Sequence, residues 1–335
     1  GGDVVIEILS PGLLSTVQDL GRTGLRHLGV GTAGAGDRDA LRIANRLVGN
    51  AEGAAAIEVT LTGPTLRFRH EHVVAVCGAE FDIDCGGDRI PAWRPVRMRA
   101  GAVLRIGRTR RGARACIAVA GGIDVPVVLG SRSTDLRGGF GGFDGRALAA
   151  GDRLRVGTPA PVAQRLLATR HPERECAVAN WWVEPTDDLR GELALLHVLD
   201  GAHARGLDRH SIRAAWENEW TVGPSSDRMG VRFEGPPLHF DSPLELVSEA
   251  IVPGTVQLPP DGRPIVLGVD AQTTGGYPRI AHVIASDLCR LMQLRPGERV
   301  RSVRVTREAA DAARATRRLT LARLGEAIAM RLAAA

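Results

Sequence analysis

The sequence contains no lysine, so all 43 basic residues of the 335-residue chain are arginines. Without lysine amines the chain cannot form a Schiff base, complete a phosphate-binding Gly-Lys-Ser/Thr loop or carry covalently attached biotin. The arginines are scattered along the sequence, and the formal net charge is +5. Because nucleic-acid binding requires a clustered basic surface, the composition argues against a nucleic-acid partner.

Aromatic residues and long apolar runs are also scarce. Aromatics make up 4% of the chain and include a single tyrosine, Tyr277. No apolar run approaches the roughly 18 to 20 residues of a membrane helix. The first residues, "GGDVVIEILSPG", lack the basic start and apolar stretch of a signal peptide. We therefore expect a cytoplasmic protein without membrane contact, long enough for two domains.

Cysteine and histidine patterns do not indicate a metal site. The five cysteines are far apart and form no Cys-x-x-Cys pair, which predicts buried, reduced thiols. The segment His70-Glu71-His72 offers two imidazoles, but the sequence shows no third ligand near it. We predict no metal bound by this chain's own side chains.

Short β-branched or alternating segments between glycine turns predict a mainly β fold. The strands predicted in the first half are 4–9, 72–79, 102–107, 113–121 and 152–157. Those predicted in the second half are 192–201, 219–223, 231–235, 244–251, 254–258 and 263–270, followed by "RIAHVIA" and "ERVRSVRV". This spacing favours two β-barrel-like domains over a βαβ array.

A few helices interrupt the strands. Asp37 is a good N-cap for "RDALRIANRLV", and "SDLCRLMQL" is typical of a short helix. The proline-rich, mixed-charge stretch 161–190 predicts a linker. We expect an N-terminal domain over 1–160, a C-terminal domain over 191–305 and a terminal helix over 306–335.

The segment Gly29-Val30-Gly31-Thr32-Ala33-Gly34 matches the glycine pattern of dinucleotide-binding proteins, but its context does not. No buried strand precedes it, and the following helix begins late, after Asp37. A glycine loop before a helix can still bind an anion or a carbonyl oxygen. Asp37 would oppose a free anion there, so we expect it to cap the helix, with catalysis as its second candidate role.

Three polar loops carry the other candidate groups. "GSRST" (130–134) places hydroxyl and guanidinium donors before five glycines within 138–145. "GPSSDRMG" (223–230) is typical of a hairpin turn in which Asp227 accepts hydrogen bonds from its own backbone. "DAQTTGGYPRI" (270–280) follows an apolar strand and supplies amide, hydroxyl and phenol groups. No triad spacing is present, so this loop suits carbonyl or oxyanion recognition better than covalent catalysis.

Several long stretches resemble a known family. The stretches "SPGLLSTVQDLGRTGLRHLGVGTAGAGDRDALRIANRLVGN", "LGSRSTDLRGGFGGFDGRALAAGD" and "SEAIVPGTVQLPPDGRPIVLGVDAQTTGGYPRIAHVIASDL" are similar to KipA-type proteins. These are also called allophanate hydrolase subunit 2, the C subunit of ATP-dependent 5-oxoprolinase, or the second half of the urea amidolyase carboxyltransferase domain. The resemblance implies a cyclophilin-like fold for the two barrel-like domains.

It also implies activity in a hetero-oligomer. The expected partners are a KipI-type (B) subunit, an A-type (LamB/YcsF-like) subunit and a small amide substrate. The first activity implied is ATP-dependent conversion of 5-oxoproline to glutamate, with ATP and Mg bound in the complex. The alternatives are carboxyl transfer from biotin carried by another protein, as in urea amidolyase, and regulatory binding without catalysis.

The same resemblance and the polar loops together define the candidate site residues. The candidate catalytic residues are Asp37, Gln272 and Tyr277. The candidate substrate- or nucleotide-binding residues are Gly34, Gly36, Arg132, Ser133, Thr134, Arg228, Gln257, Thr273 and Thr274.

Overall fold

The computed structural model describes residues 5–168, 174–185 and 191–334. The chain divides into two compact units. The first comprises Gly1–Arg22, Ala33–Leu189 and Leu321–Ala335, and the second comprises Thr23–Thr32 and Arg190–Thr320. Within the described ranges, no helix combines the length and apolar character needed to cross a membrane.

The first unit is built on a ten-stranded sheet with the path β10-β7-β5-β8-β4-β1-β9. Off this path, β2 pairs with β3, β3 pairs with β8, and β6 pairs with β5. Its strands are β1 (Val5–Ser10), β2 (Leu14–Gln18), β3 (Ala56–Thr60), β4 (Thr65–Phe68), β5 (His72–Cys85), β6 (Asp88–Arg89), β7 (Val96–Met98), β8 (Val103–Val119), β9 (Arg153–Arg155) and β10 (Cys176–Val178). Its helices are α1 (Arg38–Leu47) and α2 (Pro161–Ala168).

The two longest strands of this sheet, β5 and β8, separate two apolar cores. Val74 and Val76 of β5 pack into one core, whereas Val73 and Ala75 pack into the other, which α1 covers. Side chains alternate across a strand, so a strand buried on both faces reads as a continuous apolar run. The β5–β8 register shifts three times beyond Gly78, as β-bulges do when they bend a pair of strands.

The second unit contains a closed seven-stranded barrel with the path β11-β18-β15-β16-β13-β12-β19. The pair β11 and β19 is parallel, and the other pairs are antiparallel. Its strands are β11 (Leu193–Asp200), β12 (Trp220–Val222), β13 (Gly230–Glu234), β14 (Glu249–Ala250), β15 (Thr255–Gln257), β16 (Ile265–Leu267), β17 (Thr274–Gly275), β18 (Arg279–Val283) and β19 (Arg299–Arg304). The helices are α3 (Arg209–Glu217), α4 (Leu288–Gln293) and α5 (Arg307–Ala333), which continues into residues of the first unit.

The structure confirms a mainly β protein with few helices and a C-terminal helix. Asp37 caps α1 by accepting a 2.9 Å hydrogen bond from the Ala40 N–H, as its sequence position predicts. The turn at Gly262, whose N–H donates to Pro259 O at 3.0 Å, joins the antiparallel strands β15 and β16. All five cysteines are buried free thiols, as expected.

Three local expectations differ from the structure. The segments predicted as strands 102–107 and 113–121 form one continuous strand, β8, and only Glu249–Ala250 of the predicted strand 244–251 is extended and paired. The predicted linker 161–190 contains α2 and β10, and its residues up to Leu189 belong to the first unit. Cys176 pairs opposite Met98 and is buried, because this stretch completes the sheet edge. Residues 169–173 and 186–190 of that stretch lie outside the described residues.

Candidate functional site

In the first unit, the predicted loops are assembled around a residue that the sequence did not single out, Asp19. It follows β2 and is 9% exposed. Its Oδ1 accepts hydrogen bonds from the Ser131 Oγ at 2.6 Å, the Ser133 Oγ at 2.6 Å and the Gly21 N–H at 2.8 Å. Its Oδ2 accepts from the Arg132 N–H at 2.6 Å. A single carboxylate therefore orders the start of the "GSRST" loop.

The charge of Asp19 is stabilised by these donors. Burial acts to raise the pKa of Asp19, but the two serine hydroxyls and the backbone N–H groups outweigh it and hold the pKa below its usual value. The main chain of Asp19 also reaches the second predicted loop, because its carbonyl oxygen accepts from the Ala35 N–H at 2.9 Å. Asp19 thus connects the Gly34–Gly36 loop to the Ser131–Thr134 loop.

The predicted binding donors of this unit make internal contacts. The Ser133 hydroxyl holds Asp19, and the Thr134 hydroxyl donates to Val17 O at 3.0 Å. The Arg132 Nε donates to Val125 O at 2.9 Å. Their roles toward a ligand stay predictions.

Around α1, the first unit places carboxylates near the glycine loop. The Gly36 N–H donates to the buried Glu58 Oε2 at 2.6 Å, and Asp37 accepts from the helix N-terminus. Gly34 has φ +88°, and a Cβ there would lie 2.8 Å from the Gly21 nitrogen. A short 3-10 helix, Arg26–Leu28, precedes this loop in sequence instead of a strand. The loop therefore lacks the structural context of a dinucleotide site, and its helix N-terminus already has a carboxylate partner.

In the second unit, Arg228 and Asp270 form a buried ion pair. The Arg228 Nε lies 2.7 Å from Asp270 Oδ2, and the Nη2 lies 2.8 Å from Oδ1. The two side chains are 4% and 8% exposed. This two-bond geometry fixes the base of the 270–280 loop. The adjacent Asp227 accepts from the Met229 and Gly230 N–H groups, which confirms the predicted turn.

The 270–280 loop is partly tied down and partly open. Thr274 pairs with Ala250 in the β14–β17 ribbon, and the Thr273 carbonyl accepts from the Ile251 N–H at 3.0 Å. The carbonyl oxygen of Gln272 accepts from Arg26. Tyr277 is 47% exposed, so its phenol lies at the surface of this unit. The candidate roles of Gln272, Thr273, Thr274 and Tyr277 stay predictions.

Gln257 and Arg26 lie beside this loop and differ in how their polar groups are satisfied. The Gln257 side chain is buried, and its Nε2 has no hydrogen-bond partner in the described residues. Arg26 binds carbonyl oxygens and one hydroxyl, and burial lowers the pKa of its guanidinium. Sequence reasoning missed Arg26, as it missed Asp19 and Glu58, because their partners are distant in sequence. For metals, no group of three His, Cys, Asp or Glu side chains forms a cluster in the described ranges.

Comparison with known proteins agrees with the fold. A family model described as "Carboxyltransferase domain, subdomain A and B" matches residues 28–304. The chain is 39% identical to the C subunit of 5-oxoprolinase from Haemophilus influenzae, over 89% of this chain and 90% of that protein. It is also 39% identical to the C subunit of 5-oxoprolinase from Escherichia coli, over 92% of this chain and 94% of that protein.

A solved structure shows the same architecture within a larger protein. The crystal structure of the K. lactis urea amidolyase superposes with a TM-score of 0.85 and 29% identity, over 97% of this chain. This chain spans 20% of the length of that protein. By the family match and the two relatives of similar length, this chain belongs to the family of carboxyltransferase domains, subdomains A and B.

Proposed function

We propose that this chain is the C subunit of an ATP-dependent 5-oxoprolinase. The observation that carries the proposal is the identity of 39% to two proteins named as the C subunit of 5-oxoprolinase, each matched over nearly its whole length. The chain acts with a KipI-type (B) subunit and an A-type subunit in a cytoplasmic hetero-oligomer. The reaction is the hydrolysis of the amide bond of 5-oxoproline coupled to hydrolysis of ATP, which together consume two waters and give glutamate, ADP and phosphate.

In this proposal the chain binds and orients the lactam. The 270–280 loop carries the side chains of Gln272, Thr273 and Tyr277, which suit hydrogen bonding to a carbonyl oxygen as its negative charge develops. ATP bound in the complex would supply the phosphoryl group that activates the lactam oxygen. The proposed structural part of the Ser131–Thr134 loop is to hold the Gly34–Gly36 loop in place through Asp19.

The test is reconstitution. The chain is purified with its B-type partner, with and without the A-type subunit, and ATP-dependent release of glutamate from 5-oxoproline is measured. We expect release from the full set and little or none from this chain alone. No release from the full set, with all subunits assembled in stoichiometric amounts, contradicts the proposal.

A second candidate is the carboxyltransferase half of a biotin-dependent urea amidolyase system. The observation favouring it is the TM-score of 0.85 to urea amidolyase over nearly the whole of this chain. Since this chain contains no lysine, the biotin would be carried by another protein. The two candidates separate in one assay, because carboxyl transfer to urea requires a biotinylated carrier and 5-oxoproline hydrolysis does not.

A further inference from the structure

Cys85 and Cys176 are two buried thiols that meet in the first unit. Cys85 is the last residue of β5, and Cys176 is the first residue of β10. Both belong to the same apolar core cluster, and their side chains are hydrogen bonded to each other. The fold therefore pairs two cysteines that are far apart in the sequence.

The chain neighbours of the two cysteines are also in contact. The Cys85 Sγ lies 3.9 Å from the Oε2 of Glu175, the residue before Cys176. A Cβ at Gly86, the residue after Cys85, would lie 3.0 Å from the Glu175 Cδ. Gly86 has a φ of +61° and lies in the tight turn between β5 and β6. This turn and the Glu175 side chain hold the end of β5 against the start of β10.

Cys176 is the more accessible of the two sulfurs. It is 7% exposed, whereas Cys85 is 1% exposed. Its strand, β10, stands at the end of the sheet path and pairs with β7 over three residues, with Cys176 opposite Met98. A short strand at a sheet edge opens locally at a lower free energy than a central strand. A small reagent in water can therefore reach Cys176 before Cys85.

The hydrogen bond between the two sulfurs also makes them chemically different. It lowers the pKa of the Cys176 thiol and raises the pKa of the Cys85 thiol, so the Cys85 S–H donates to a Cys176 thiolate. Burial acts against the charged form at both sulfurs. The thiolate is the nucleophilic form of cysteine, so Cys176 is the sulfur that reacts first.

From these contacts we propose that Cys85 and Cys176 are an oxidation site, at which hydrogen peroxide forms a disulfide that locks β10 to the end of β5. The Cys176 thiolate attacks one peroxide oxygen and the O–O bond breaks. The departing hydroxide takes up the proton that Cys176 lost, which gives water and a sulfenic acid on Cys176. The Cys85 sulfur then attacks the Cys176 sulfur, the S–O bond breaks, and the hydroxyl group leaves with the Cys85 proton as a second water.

This sequence of steps is balanced, because two thiols give up two electrons and one peroxide is reduced to two waters. The two sulfur atoms must approach to about 2.0 Å, which is the length of a disulfide bond. They start in hydrogen-bond contact, and the edge position of β10 allows the remaining movement.

The disulfide stabilises the stretch of chain that follows β10. Trp181 and Val183 in this stretch pack in the second apolar core with Ile328 and Leu332 of α5. In the reduced protein the stretch is held by non-covalent contacts, such as the 3.0 Å hydrogen bond from the Ala179 N–H to Pro95 O. In the oxidised protein it is also cross-linked to β5, which restricts the unfolded chain and raises stability.

Cys77 and Cys116 of the same unit provide an internal control. They lie opposite one another on β5 and β8, two strands that have neighbours on both sides. They are 0% and 1% exposed, in the core that α1 covers. Two cysteines can therefore be close together without an edge strand beside them, and we expect this pair to stay reduced.

The experiment exposes the folded, reduced full chain to hydrogen peroxide and ends the reaction with catalase. The proteins are the wild type, Cys85→Ala, Cys176→Ala and, as the matched control on β5, Cys77→Ala. Free thiols are alkylated in urea and counted by mass spectrometry, and any disulfide is mapped after proteolysis. Urea unfolding of the treated protein is measured before and after reduction with dithiothreitol.

We expect the wild type to lose two of its five thiols to one disulfide within the chain, between Cys85 and Cys176. The urea midpoint should rise by about 1 M, and dithiothreitol should reverse the rise. Cys77→Ala forms the same disulfide. Cys85→Ala and Cys176→Ala form none, and in Cys85→Ala the oxidation stops at an acid of Cys176. If either of these variants does not fold, the disulfide mapped in the wild type decides alone.

Three results overturn the proposal. They are retention of all five thiols by the wild type, a disulfide between Cys77 and Cys116 in place of the expected one, and oxidation of Cys176 without a bond to Cys85. A disulfide between Cys85 and Cys176 that leaves the urea midpoint unchanged or lower contradicts the lock on β10. The outcome is independent of the 5-oxoprolinase proposal, because no part of the experiment measures that reaction.

Discussion

Asp19 and Ser133 are joined by two hydrogen bonds of opposite direction. The Ser133 Oγ donates to Asp19 Oδ1 at 2.6 Å and accepts from the Asp19 N–H at 2.9 Å. One hydroxyl therefore contacts both the side chain and the main chain of a residue 114 positions away. Because Asp19 also contacts Ala35, this pair holds two predicted functional loops in one arrangement.

The first prediction concerns the charge of Asp19. In Asp19→Asn, an amide nitrogen replaces one oxygen of a carboxylate that accepts four hydrogen bonds. If that nitrogen takes the Oδ2 position, it faces the Arg132 N–H, which is also a hydrogen-bond donor. The oxygen that remains carries no negative charge, so its hydrogen bonds to the two serine hydroxyls are weaker. We expect a loss of about 2 to 3 kcal/mol in the free energy of unfolding, measured by urea denaturation.

Asp124→Asn is the matched control for that substitution. Asp124 is 55% exposed and lies 3.8 Å from the guanidinium of Arg132, so its removal is expected to change stability by less than about 0.5 kcal/mol. Equal effects of the two substitutions would show that Asp19 does not organise the loops. The pKa of Asp19 is lowered below 3.8, so its contribution is present above that pH and is lost as the pH falls through the folded-state pKa.

Local sequence signals predicted the helix cap and the turns that are formed by residues close to one another in the sequence. The N-cap at Asp37, the turn at Gly262 and the turn at Asp227 each need only contacts within three residues. Strand positions also followed from periodicity. The merging of two predicted strands into β8 did not follow from periodicity. Register shifts opposite residues 78–83 of β5 allow β8 to continue through a charged, glycine-containing stretch.

The site was only partly predictable for the same reason. The sequence located the loops, since polar and glycine residues interrupt apolar strands there. It did not show that the donors at Ser133 and Thr134 turn inward, because their acceptors, Asp19 and Val17, lie more than a hundred residues earlier. Arg26 was missed because its distant partners are main-chain oxygens, which leave no signal in the side-chain sequence.

The second prediction concerns Gly34. Its φ of +88° and the backbone of Leu20 and Gly21, which a Cβ would approach at 2.8 to 2.9 Å, both disfavour a side chain. Gly151 has a φ of +91°, but no atom lies within 4 Å of its Cβ position. Both glycines belong to the first unit. Alanine at either position must adopt a positive φ, which destabilises the fold. Only alanine at Gly34 would also clash with neighbouring backbone atoms.

We therefore expect Gly34→Ala to lower the free energy of unfolding by about 1 to 3 kcal/mol more than Gly151→Ala. The measurement is the difference in urea unfolding between the two variants. A smaller loss in Gly34→Ala than in Gly151→Ala would mean that the loop moves away from Gly21 without cost.

The third prediction is an acid-sensitive contribution from His72. This side chain is buried, and burial, with a smaller effect of His70, lowers its pKa from 6.5 to about 4. The unfolded chain therefore binds a proton at a pH where the folded chain does not, so stability rises with pH across this range. The contribution of His72 should lower the free energy of unfolding by up to about 3 kcal/mol as the pH falls from 6.5 to 4.

Replacing His72 with leucine should flatten the pH dependence of the urea midpoint between pH 4.5 and pH 7. The same substitution at His70, which is exposed, is expected to leave most of that dependence in place. An unchanged slope in His72→Leu would contradict the assignment of the acid sensitivity to this residue.

The last prediction concerns Tyr277, the single tyrosine of the chain. It is 47% exposed in the loop proposed to bind the lactam, so its hydroxyl adds little to the stability of the fold. If the phenol stabilises charge developing on the ligand, Tyr277→Phe should lower kcat of the assembled complex by about tenfold or more, with the urea midpoint and assembly unchanged. Tyr277→Leu removes the ring as well as the hydroxyl. Full activity of the phenylalanine variant together with loss of activity in the leucine variant would assign the contribution to the ring, because both variants lack the hydroxyl and only phenylalanine keeps the aromatic ring.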